Sequence, residues 1–135
     1  MITSDPLTAV RGGLADFQRG DIPALLARLD DAIVWETPFP AGAIPYGGTR
    51  RGKEQVAAFF RELDETVQIT RFDLHDFLTA DGTIVVIGTY DGTFRTSGKR
   101  ASADFAFVFR VRDDKIVAFR EYSDPTAVLA AYGAA

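Results

Sequence analysis

The stretch ASADFAFVFRV, residues 101–111, sets Phe105, Phe107 and Phe109 at every second position, against a mixed set of Asp104, Ala106, Val108 and Arg110. A strand sends alternate side chains to opposite faces, so one face of a sheet here is a broad aromatic surface. Such a surface is covered by helices or filled by a ligand. Large apolar side chains are most often plain core, and a curved sheet can serve both ends. On either side, residues 67–78, 83–94 and 115–122 are likewise rich in β-branched and aromatic residues. The turn formers Asp81-Gly82, Ser97-Gly98 and Asp113-Asp114 separate the four segments, which read as an antiparallel meander. Residues 83–87, TIVVI, form a continuous apolar run, as expected of a central strand covered on both faces.

Upstream the period changes from two to that of a helix. Ser4 or Asp5 with Pro6 forms an N-cap and first turn, after which Leu7, Val10, Leu14 and Phe17 make one stripe ending at Gly20. Asp21 caps a shorter helix with Pro23 in its first turn and Ile22, Leu25, Leu26 and Leu29 as its stripe. Asp30-Asp31 turns the chain into a strand over 32–36. Residues 37–52, TPFPAGAIPYGGTRRG, are too rich in proline and glycine for a regular element and read as a long ordered loop or lid. Residues 53–63 return to helical spacing through Val56, Phe59, Phe60 and Leu63, and Asp124-Pro125 opens a last helix that stops at Gly133. Helices gathered before the sheet, rather than alternating with its strands, predict an α+β fold. The curved antiparallel sheet is expected to wrap the N-terminal helices as a cone-shaped roll, open where sheet and helices diverge.

Composition narrows the functional classes. The 135 residues fit a single domain spanning 1–135, and a hydrophobic content of 47% excludes a disordered chain. No apolar run is long enough to cross a membrane, and no secretory leader pattern opens the chain, so a soluble cytoplasmic protein is expected. A net charge of -4, with basic residues gathered only at Arg50-Arg51 and Lys99-Arg100, argues against nucleic acid as a partner. With no cysteine, disulfides, thiolate catalysis and zinc-cysteine sites are out of reach. One histidine, His75, and no calcium-loop spacing leave no basis for a structural metal, and no cofactor is implied.

Three strings, GDIPALLARLDDAIVWETP, GGTRRGKEQVAAFF and RVRDDKIVAFREYSDPTAV, resemble the nuclear transport factor 2-like superfamily, in particular its SnoaL-like and ketosteroid-isomerase-like branches. The resemblance spans nearly the whole chain and implies a cone-shaped α+β roll, a small apolar organic ligand and a homodimer. It says little of activity, because the superfamily holds isomerases, cyclases, dehydratases, epoxide hydrolases and carriers without chemistry. Aligned with the isomerases, Glu36 falls where they carry their aspartate base. Their first-helix tyrosine falls near Gly13 and their protonated aspartate at Phe107, so both oxyanion donors are absent and steroid isomerisation by that route is not expected.

Glu36 shares a strand face with Val34, while Trp35 and Thr37 face the other way. If Val34 packs inward, Glu36 enters the cone, where desolvation would raise its pKa toward that of a proton shuttle. A strand-end glutamate paired with arginine is the plainer alternative. Glu121 shares a face with Phe119 and is the second candidate acid, ranked below Glu36. Tyr90, Phe94, Phe105, Phe107, Phe119, Phe60 and Val34 are expected as ligand contacts, with Tyr46 folding over the opening from the proline-glycine loop. His75, flanked by Leu74 and Asp76, reads more simply as a solvated strand residue than as a catalyst. The function expected is binding of a small apolar organic molecule, with cofactor-independent acid/base catalysis of isomerase, cyclase, dehydratase or hydratase type. The alternative is a non-catalytic ligand-binding or dimerisation domain, its aromatic face filled by Phe17, Phe59 and Phe60.

Overall fold

A computed structural model describes residues 5–133. Its elements run α1 (Pro6–Gln18), α2 (Ile22–Ala27), β1 (Leu29–Glu36), β2 (Arg50–Arg51), α3 (Lys53–Thr66), β3 (Val67–Ala80), β4 (Thr83–Phe94), β5 (Arg100–Arg112), β6 (Lys115–Tyr122) and α4 (Thr126–Tyr132). The six strands form one curved, unclosed sheet in the order β2-β1-β6-β5-β4-β3, and the architecture is α+β. Short turns force the successive strands β3 to β6 to run antiparallel, whereas β1 lies parallel to β6. The antiparallel meander expected of the four late strands is present, and the parallel pairing of β1 with β6 adds to it. β1 reaches β6 across α3 and the whole meander, so no hairpin dictates its direction.

The hairpin turns follow their residues. Asp113 and Asp114 both adopt positive φ, as a two-residue type I′ turn requires, and Asp81 does the same between β3 and β4. The bend of the sheet has local causes: the β3–β4 register slips between Ile69 and Arg71 and again between Leu74 and Asp76, leaving Thr70 and His75 as bulge residues. Gly88 faces inward on β4, where a Cβ would run into the Asp73 carbonyl and the Phe105 ring. Glycine at this position lets that ring lie flat on the sheet.

α1 is capped by Asp5, whose Oδ1 accepts from the Leu7 N–H at 3.0 Å; Ser4, the other candidate cap, lies outside the described residues. Asp21 caps α2 by accepting from the Ala24 N–H at 3.1 Å. The α1–α2 corner is tied by Asp16, whose side chain is 0% exposed. Its Oδ2 accepts from Arg28 Nε at 2.7 Å, and its Oδ1 forms an ion pair with Arg19 at 2.6 Å whose geometry falls short of a hydrogen bond. The larger differences from the sequence reading lie in the first half of the chain. Leu29 opens β1 instead of closing α2, α3 runs on to Thr66, and Arg50–Arg51 pairs with Trp35 and Val34 as a short edge strand. The core lies on the concave face, where Phe105, Phe107 and Phe109 are buried under α1 and α4.

Candidate functional site

Helices and sheet do not meet completely. Between them lies a cavity of about 110 Å³. Its wall takes Leu14 and Phe17 from α1, Trp35 from β1, Phe39 and Tyr46 from the proline-glycine loop, and Phe59, Phe60 and Leu63 from α3. The sheet adds Phe72, Tyr90, Phe94, Phe107, Phe109, Phe119 and Glu121, and α4 closes the space with Val128. Aromatic stacking fixes the wall: Trp35 lies on Phe119 with ring centroids 4.0 Å apart, and Phe105 on Phe107 at 3.8 Å.

One carboxyl group breaks this apolar surface. Glu121 is 8% exposed and, among the described residues, is the cavity's only acidic lining residue, with no lysine, arginine or histidine beside it in the wall. The Tyr90 hydroxyl donates to its Oε2 at 2.8 Å, and the Ser123 hydroxyl donates to the same oxygen at 2.7 Å. Oε1 has no hydrogen-bond partner among the described residues. Burial pushes the Glu121 carboxyl above the usual carboxylate range, and the two hydroxyls only partly oppose this. The Tyr90 phenol is held far above its ordinary value, first by burial and then by the neighbouring Glu121 charge, and Tyr46 is raised for the same two reasons. The result is a buried acid between two neutral phenols, with one carboxyl oxygen free.

The sequence-predicted residues divide on this geometry. Phe60, Tyr90, Phe94, Phe107, Phe119, Tyr46 and Glu121 are brought together around the cavity. Phe105 stands one layer back, stacked against Phe72, Tyr90 and Phe107, and supports the wall without lining it. Glu36 and Val34 are corrected. Trp35, 6% exposed, occupies the inner face with Phe119, Phe59 and Phe60, so its neighbours on either side lie on the outer face of the sheet. The larger apolar pair Ile33 and Trp35 takes the interior and carries Glu36 away from it. His75 is an exposed bulge residue, its Nε2 3.3 Å from the Thr89 hydroxyl.

Sequence reasoning assigned no role to Trp35, Phe39 or Ser123. The signal for Trp35 was available in its size; that for Ser123 was its place two residues beyond Glu121, from which its hydroxyl donates to the Glu121 carboxylate. Position 107, where the isomerase resemblance would put an acid, holds phenylalanine, and its direct cross-strand partner is Glu121. The proline-glycine loop is a fixed wall. Phe39, Ile44 and Tyr46 are buried, and Arg50 ties the loop to α3 through Glu62 Oε1 at 2.6 Å and the carbonyls of Pro45 and Gly47 at 3.3 and 3.2 Å. No cluster of three or more metal-ligating side chains occurs among the described residues, and no helix there is long and apolar enough to cross a membrane.

A roll of this topology with an acid-tipped apolar hollow defines a class of small α+β proteins. The family model for SnoaL-like domains matches residues 10–119, and the chain belongs to that family. Among solved structures, it is similar to a nuclear transport factor 2-like protein from Burkholderia xenovorans, with 28% identity, 98% of this chain and 99% of that chain covered, and a TM-score of 0.86. A nuclear transport factor 2-like protein from Burkholderia thailandensis is 32% identical over 97% of this chain and 98% of its own, with a TM-score of 0.84. TerC, co-crystallised with polyporic acid, shares the fold at 23% identity, covering 96% and 98% of the two chains, with a TM-score of 0.85. Comparison of the sequence with curated proteins finds no match.

Proposed function

We propose that the cavity binds a small, mostly apolar organic molecule through an uncharged part of it and that Glu121 exchanges a proton with that part, without a cofactor. The observation that carries this reading is a single carboxyl group, 8% exposed, in an aromatic cavity with no basic side chain in its wall among the described residues. An anionic head group would meet no counter-charge there, whereas a carbonyl or ether oxygen can accept a hydrogen bond from the protonated acid at Oε1. Tyr90 and Ser123 hold Oε2, so the group that meets the ligand is oriented before binding. After protonating an oxygen, the same carboxylate is placed to take a proton back, which is the common requirement of isomerisation, cyclisation, dehydration and hydration. TerC, which shares the fold, was co-crystallised with polyporic acid, an organic molecule, and this supports a binding role for a protein of this shape.

The test uses the protein's only tryptophan, Trp35, whose ring is part of the wall. Acetophenone is expected to quench Trp35 fluorescence, and the protein is expected to accelerate exchange of its methyl protons in heavy water. In Glu121→Gln the quenching persists within a few-fold while the exchange drops by about a hundred-fold or more. Glu36→Gln, on the outer face, leaves both unchanged. Quenching without any accelerated exchange selects the non-catalytic binding reading; exchange that survives Glu121→Gln removes the proton-transfer role.

A second reading concerns assembly. We infer a homodimer formed through the outer sheet face, because Leu78, Ile87 and Tyr122 are exposed there by 55%, 38% and 50%. They are the large apolar side chains left in solvent among the described residues.

A further inference from the structure

A cavity of about 110 Å³ accommodates little more than one ring; an engineered apolar cavity of ~150 Å³ takes benzene. Beside it, between the α1–α2 corner, α3 and the start of β3, runs a groove of about 630 Å³. Phe17, Phe60, Leu63, Val67 and Ile69 belong to the walls of both. The boundary between the two spaces therefore includes these five side chains. Phe17, Leu63 and Ile69 are half-buried, so their rotamers can change without unpacking the core.

The groove differs from the cavity in chemistry. Arg61, Asp64, Gln68 and Arg95 line it, and none of them lines the cavity. Asp64 is already engaged by Arg95, whose Nε donates to the Asp64 carbonyl at 2.7 Å and whose Nη2 lies 3.5 Å from the carboxylate. Arg61 has no acidic partner among the described residues. The groove therefore carries one uncompensated positive charge beside an apolar doorway.

We propose that groove and cavity form one continuous site for an elongated ligand, with an uncharged ring system in the cavity and a carboxylate-bearing tail passing between Phe17, Leu63 and Ile69 to Arg61. This rests on the reading that the cavity takes a ligand, and adds to it the ligand's length and the charge at its far end. A planar guanidinium at the groove suits a carboxylate, and solvent access there keeps the pairing modest and salt-dependent.

Trp35 fluorescence is titrated with acetophenone, with benzoylbutyrate, which adds a carboxylate tail to the same phenyl ketone, and with the methyl ester of benzoylbutyrate. Benzoylbutyrate is expected to bind about ten-fold more tightly than its ester, a preference that shrinks as salt rises. Arg61→Ala, a change of an exposed side chain, is expected to bring acid and ester level while leaving acetophenone affinity unaltered. If acetophenone and the ester bind but the acid gains nothing over the ester, the continuous site is wrong and the cavity reading stands. An advantage of the acid that persists in Arg61→Ala overturns the continuous site in the same way. If none of the three probes quenches Trp35, the cavity reading fails and the continuous site falls with it.

Discussion

Glu121 and Asp16 are both buried carboxyl groups, and their partners give them opposite characters. Asp16 has Arg28 and Arg19 within ion-pair distance, so its charge is met; Glu121 has only hydroxyls, and burial raises its pKa. Because the folded chain holds the Glu121 proton more tightly than the unfolded chain, proton uptake favours the fold across the interval between the ordinary carboxylate value and the raised one. Stability contributed by this group therefore falls as pH rises through that interval and stays lowered above it. Glu121→Gln keeps an oxygen to accept from Tyr90 and Ser123 and has no proton to lose. Urea denaturation of both proteins from acidic to mildly alkaline pH should show the variant gaining on the parent as pH rises; parallel curves would mean that the carboxyl is not raised. At Asp16 the expected effect is loss. Arg28→Met retains the aliphatic stem but leaves the carboxylate with Arg19 alone, at a cost of about 2 kcal/mol, below the ~3–5 kcal/mol of a wholly unpaired buried charge. Chemical denaturation measures this, and adding Asp16→Asn to the variant should recover part of the loss. If the double variant is no more stable than Arg28→Met, the cost comes from packing against Gly12, over which the guanidinium lies, and not from the charge.

At the scale of elements, most of the scaffold is legible because each piece follows a local rule. Period-two aromatics mark β5, capping aspartates mark α1 and α2, and paired turn residues mark the hairpins. The face presented by β1 is where that legibility stops. Ile33 with Trp35 and Val34 with Glu36 are both plausible inner pairs by alternation, and the register is settled by Trp35 stacking on Phe119, a residue far along the chain. Glu121 could be read onto the cavity side from Phe119, since the two share a strand face, but the hydroxyl pair that holds it comes from β4 and from the residue just after β6. Parallel pairing of β1 with β6 is likewise a tertiary outcome without a local signature. The proline-glycine loop is ordered by one side chain, which makes it testable as a unit. Arg50→Ala removes three attachments and should raise hydrogen exchange across residues 39–48 while leaving β4 and β5 protected, with a stability loss of about 1–3 kcal/mol. Unchanged exchange in the loop would show that Phe39, Ile44 and Tyr46 hold it by packing alone. Gly88→Ala tests the sheet in the other direction: its methyl group meets a carbonyl and a ring that cannot both yield, and overpacking of this kind costs about 1–3 kcal/mol. A thermal midpoint equal to the parent's would show that the sheet relaxes around position 88.

For the molecule as a whole, the two faces of the sheet set different problems. The concave face is closed by helices down to a small cavity, whereas the convex face carries no helix among the described residues and still presents apolar rows. Leu78, Val85 and Val108 stand in register across β3, β4 and β5, and Ile87, Ala106 and Tyr122 across β4, β5 and β6. Charged side chains border these rows: Asp76 pairs with Ile87, Arg120 with Val108, and the Arg120 guanidinium lies 4.8 Å over the Tyr122 ring. An apolar centre with a charged rim is the composition of an interface, and a two-fold axis through the rows would place each apolar patch against its copy. The same arrangement gives Glu36 a setting, since its register partner on β6 is Arg120, beside the proposed contact and remote from the cavity. Sedimentation of the wild-type chain should therefore give a dimer that dissociates on dilution. Combining Ile87→Lys with Tyr122→Lys should yield a folded monomer, because both side chains are already exposed and neither packs in the core. Ligand quenching of Trp35 should survive in that monomer, since the wall of the cavity comes from one chain. A wild-type chain that sediments as a monomer at every concentration would leave the convex face without a partner copy. A double variant that stays dimeric would place the contact elsewhere on the surface.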